Sequence, residues 1–105
     1  MQKIRKLGVE NMAVVVGDWD LSDVKGIALP QKVESAFTEV VSGIVGADYE
    51  PVAYLGKQLV NGVNYKILAL KTPVVPNGTK HFVKLIINVG TDKKTHLVSI
   101  SRAAV

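Results

Sequence analysis

The sequence contains no cysteine, which excludes a disulfide framework, a cysteine nucleophile and a thiolate metal site. Only two arginines are present, so the chain has little means of gripping phosphates or bases bidentately. It is nonetheless basic, with 13 Lys and Arg against 9 Asp and Glu, a net charge of +4. The lysines are scattered, and only Lys3-Ile4-Arg5-Lys6 and Lys93-Lys94 cluster. That distribution reads as a soluble basic surface rather than a nucleic-acid footprint. No apolar run approaches the roughly 18 residues of a membrane span. The basic opening Met1 to Gly8 is interrupted by Glu10 and Asn11 before any apolar stretch of about 7–15 residues. The sequence as given therefore predicts a cytoplasmic protein. A mature secreted fragment with an added Met would read the same, and Asn77-Gly78-Thr79 is formally a glycosylation acceptor.

What is present is one domain's worth of chain: 105 residues, of which 48% are apolar and can build a core. Residues 1–11 are polar and mixed, and are expected to form a loosely held N-terminal arm. Met12 to Val16 is apolar and β-branched, a candidate strand stopped by Gly17. Pro30 opens a helix expected over 30–45, because Val33, Phe37, Val40, Val41, Ile44 and Val45 repeat as a single apolar stripe. Gly46 fits its C-terminal stop. Two strand-like runs, 50–60 and 63–72, are joined by Asn61-Gly62, a strong hairpin signal. Pro73, Pro76 and Asn77-Gly78 end the second run. The stretch His81–Val89 alternates, with Val83, Leu85, Ile87 and Val89 on one face, and Thr95–Arg102 supplies the last strand after a turn over 90–94. The expected class is α+β, with one long helix packed across a four- to five-stranded antiparallel sheet.

Candidate chemistry is sparse. His81 and His96 each flank a turn without a carboxylate at ligand spacing, so they read as solvated strand-end residues. Asp18, Asp20 and Asp23 surround Trp19, but the glycine and terminal Glu of a calcium loop are missing, and a side-chain-capped loop is expected instead. No phosphate-binding glycine loop and no G-x-S-x-G motif occur. The sequence predicts no enzyme, no cofactor and no metal.

The segment Gln58-Leu59-Val60-Asn61-Gly62, followed by Val63-Asn64-Tyr65, resembles the Gln-x-Val-x-Gly signature of the cystatins, inhibitors of papain-like cysteine proteases. The order of elements over 13–102 is similar too: a trunk ending in Gly17, a helix, then the signature in the first hairpin. The short chain without cysteines is closest in style to the stefins, and residues 1–105 would form a single cystatin-like domain. In place of the family's Pro-Trp second loop stands Gly90-Thr91-Asp92-Lys93-Lys94-Thr95.

The resemblance implies a reversible competitive inhibitor that plugs a protease cleft with its trunk and first hairpin. It assigns protease contacts to Val15, Val16, Gly17, Gln58, Leu59, Val60, Asn61 and Gly62, with a weaker second contact at Thr91, Asp92, Lys93 and Lys94. The alternative is a non-inhibitory binding or scaffold module of the same fold. Trp19 is either an aromatic anchor at the wedge edge or a residue packed on the sheet. The expected state is a monomer able to form a domain-swapped dimer, because Val60 and Val63 favour extended backbone around the Asn61-Gly62 reversal.

Overall fold

The computed structural model describes residues 18–104. The expected arm over 1–11 and strand over 12–16 lie outside the described residues. The elements are β1 (Trp19–Asp20), α1 (Gln31–Val41), β2 (Ala47–Val60), β3 (Gly62–Pro73), β4 (His81–Val89) and β5 (Thr95–Arg102). The strands form one sheet in the order β1-β2-β3-β4-β5, every neighbouring pair antiparallel.

The helix starts where proline allows it. Pro30 stands just before it at φ −56° and ψ 149°, and its carbonyl accepts the Val33 and Glu34 N–H groups at 3.0 and 2.9 Å. The helix then stops at Val41, short of the expected end at 45. Ser42 donates its hydroxyl to the Glu39 carbonyl at 2.8 Å, a local bond that competes with helical continuation. Gly43 and Ile44 close tighter three-residue bonds onto Val40 and Val41 at 3.2 and 3.0 Å. The apolar stripe thus ends early, and Val45 is 93% exposed.

This shortening overturns the expected architecture. An 11-residue helix spans about 16 Å, whereas strands of 14 and 12 residues run roughly 40–45 Å. The helix covers only part of such a sheet. With 52% of the described residues in strands against 13% in the helix, the described fold is a curled five-stranded half-barrel carrying one short helix. Register shifts in β2, between Pro51 and Ala53 and between Tyr54 and Gly56, and in β5, where Val98 is the extra residue opposite Ile86 and Ile87, supply the curl. Such irregularities bend a strand and increase its twist. At the second of them Gly56 adopts φ +128°, and a side chain there would press on the Asp20 carbonyl oxygen at 3.0 Å. Only glycine lets the β1 segment pass so closely.

The core occupies the inner face. Tyr65, Ile67 and Ala69 of β3 and Val83, Leu85 and Ile87 of β4 alternate inward and are buried, as the period of two in these strands requires. Tyr54 joins them from β2, and Val33, Ala36 and Phe37 close over them from the helix. Ile67, Leu85 and Ile87 have no exposed surface, and each contributes roughly 1.5–3 kcal/mol through burial.

Candidate functional site

The β2–β3 turn and the β4–β5 turn lie side by side at one end of the sheet. Val60 ends β2 with 40% of its surface exposed, Asn61 is the exposed apex, and Gly62 begins β3 at φ +88°. Among the described residues only Asn77 and Lys93 combine a side chain with positive φ. Asn61 is therefore not left-handed, and Gly62 alone carries the reversal. This differs from the usual Asn-Gly hairpin turn, in which both residues are left-handed. A side chain at Gly62 would run into the Val89 carbonyl oxygen and come within 2.7 Å of the Gly90 Cα. The two turns thus meet backbone to backbone.

The second turn is internally braced. The Gly90 N–H donates to the Lys94 carbonyl and the Lys93 N–H to the Gly90 carbonyl, each at 2.9 Å. The Asp92 carboxylate accepts the Lys94 N–H at 2.9 Å, and Lys93 adopts φ +68°. Thr91, Asp92, Lys93 and Lys94 are all exposed.

A row of side chains crosses the sheet just behind these turns. Register places Trp19 beside Gln58, Gln58 beside Asn64, Asn64 beside Asn88 and Asn88 beside His96. Asn64 donates to Gln58 Oε1 at 3.0 Å, and Asn88 donates to Asn64 Oδ1 at 2.9 Å. Asn88 Nδ2 also lies 3.4 Å from the Asn61 carbonyl oxygen. This amide ladder ties the first turn to β4. Sequence reasoning put Asn88 on the outer face of its strand but not in the site, because only the β3–β4 register brings it to Asn64.

Trp19 is half-buried, with Lys66 Nζ 4.1 Å from its ring centroid in a cation–π contact. The loop that follows is anchored through Tyr54. Its hydroxyl donates to the Asp23 carboxylate at 3.0 Å, and Lys57 Nζ stands 3.6 Å from the same carboxylate. Burial pushes the Tyr54 phenol well above its usual value, and the hydrogen bond to Asp23 adds to the shift. Asp20 accepts the Ser22 N–H at 2.9 Å, and the side-chain and backbone bonds to Ser22 hold its carboxyl below the usual range.

Of the expected contact residues, Gln58, Leu59, Val60, Asn61 and Gly62 sit with Thr91, Asp92, Lys93 and Lys94 on this one edge. Val15, Val16 and Gly17 lie outside the described residues. His81 and His96 stand near opposite ends of β4, beside Lys71 and Asn88 respectively, and do not meet. Among the described residues no group of three or more His, Asp or Glu side chains could hold a metal ion. No helix among them is long and apolar enough to cross a membrane. Comparison with protein-family models, curated proteins and solved structures finds no match to this chain.

Proposed function

We propose that this chain is a reversible competitive inhibitor of papain-like cysteine proteases, seating the shared edge of its two turns in the active-site cleft. The observation that carries this reading is the backbone contact between Gly62 and Gly90, which joins two turns into one narrow, braced edge. A cleft with a buried Cys–His pair accepts such an edge only if the tip is slim and sheds water easily. Asn61 and Gly62 are small, and half-exposed Val60 and half-buried Leu59 offer apolar flanks. Because the tip is already held by the ladder, little ordering entropy is lost on binding. Inhibition is steric, since the edge presents a tight turn rather than an extended peptide to the nucleophile. The reading also enlists Val15, Val16 and Gly17, which precede β1, as a trunk along the cleft.

A second reading, a binding module that inhibits nothing, is favoured by the exposed charges of the second turn, which are costly to bury in a cleft. Titration of papain with the full chain and with a Val60→Asp variant separates the two. The full chain should abolish activity competitively, and the variant should bind at least tenfold more weakly with an unchanged melting temperature. Absence of inhibition by the full chain would overturn the inhibitor in favour of the module.

A further inference from the structure

We propose that Lys93 and Lys94 make this edge selective for proteases whose cleft is bordered by carboxylates, an inference that rests on the reading above. Both side chains are exposed, and among the described residues neither forms an ion pair. The one carboxylate of the turn, Asp92, accepts the Lys94 N–H and braces the loop. With two ammonium groups against that one carboxylate, the exposed turn carries a net positive charge.

Their position is as informative as their sign. Gly62 touches Gly90, so the β4–β5 turn begins where the first tip ends. Adjacent strands lie about 4.8 Å apart, which puts the lysine-bearing turn roughly 10 Å from the apex at Asn61. That is close to the Debye length of about 8 Å at physiological salt, so the two lysines act on groups beside whatever the tip enters. With Val60 and Asn61 filling the cleft, Lys93 and Lys94 meet its rim, where their ammonium heads stay partly hydrated. The cost of burying charge is avoided, and attraction by acidic groups speeds encounter. The overall charge of +4 adds to the same steering. The second turn thus serves as a charge-reading contact, not as an apolar wedge.

The test compares the full chain with the double variant K93E/K94E against two papain-like proteases, one with an acidic and one with a basic cleft rim. Association and dissociation rates are followed by loss of peptidase activity at low and at physiological salt. Association of the full chain with the acidic-rimmed enzyme should fall about tenfold or more in the double variant, and its salt dependence should flatten. Dissociation should change less than threefold, and association with the basic-rimmed enzyme should rise. Inhibition of both enzymes with unaltered association rates would overturn this inference and leave the inhibitor reading standing. Inhibition of neither enzyme by the full chain would overturn both.

Discussion

Gly62 and Gly90 pack against each other without side chains: a Cβ added to Gly62 would lie 2.7 Å from the Gly90 Cα. The reverse is gentler, because the nearest atoms to a Cβ on Gly90 belong to side chains, Asp92 Oδ1 at 2.7 Å and Asn88 Oδ1 at 3.7 Å, not to backbone. Gly62 also needs φ +88°. Gly62→Ala should therefore cost about 1–3 kcal/mol, and Gly90→Ala distinctly less. Melting temperatures of the two variants check this ranking, and equal losses would contradict the contact. Substitution at Gly62 consequently disturbs folding as well as binding, which makes Val60 the cleaner probe of the tip.

The amide ladder should stiffen the edge rather than support the core. Asn88→Ala removes the donor to Asn64 and the 3.4 Å approach to Asn61, all on the outer, part-exposed face. The expected loss of stability is about 0.5–1.5 kcal/mol. Hydrogen exchange at Asn61, Gly62 and Val63 should rise by more than exchange at Ile67 and Leu85. A uniform rise across β3 and β4 would show that the ladder has no local role.

Alkali should unfold the protein through its buried tyrosines. Burial holds Tyr54 and Tyr65 above the usual phenol value of 10.0, and Asp23 raises Tyr54 further. The unfolded chain releases these protons at the usual value while the folded chain retains them. Stability is thus full below pH 10 and declines as pH rises above it. Tyr54→Phe should cost about 1–2 kcal/mol at neutral pH, because Asp23 loses its donor, and should flatten the alkaline decline. Melting temperatures followed between about pH 8 and pH 12 test this, and parallel curves for the two proteins would refute it.

Removal of residues 1–16 should leave the described fold intact, since Trp19 and Asp20 still pair with Gln58 and Lys57. If the trunk contacts a protease, the truncated protein should dissociate faster with little change in association, the usual route by which contacts set affinity. Equal residence times for the full and truncated chains would remove Val15, Val16 and Gly17 from the contact surface.

Heating near the unfolding transition should yield a domain-swapped dimer in which β2 and β3 become one continuous strand. Val60 and Val63 favour that extended state, and only Gly62 holds the reversal. Gly62→Ala should shift the balance further toward the dimer, and the dimer should not inhibit papain because its tip no longer exists. Size-exclusion chromatography with each peak assayed on papain decides the matter; an inhibitory dimer would count against the hinge.

The amino-acid sequence alone determined what depends on neighbours a few residues away. The inward faces of β3 and β4, the start of the helix after Pro30, the tip around Asn61-Gly62 and the turn over 90–94 are all local patterns. The helix end is also set locally, by the Ser42 bond to Glu39, but the apolar stripe running on through Ile44 and Val45 masks it in the sequence. The long-helix layout failed for that reason. The half-barrel came from register shifts, which exist only between strands and have no signature in either strand alone. The same holds for the candidate edge. Gln58, Gly62 and Gly90 each read as hairpin residues, but their union with Asn88 spans 24 residues from Asn64 and was decided by the pairing of β3 with β4. That pairing is selected by burial of Ile67, Leu85 and Ile87 on the inner face, since a slip of β4 by one residue against β3 would turn Leu85 and Ile87 toward water while Ile67 stayed inside.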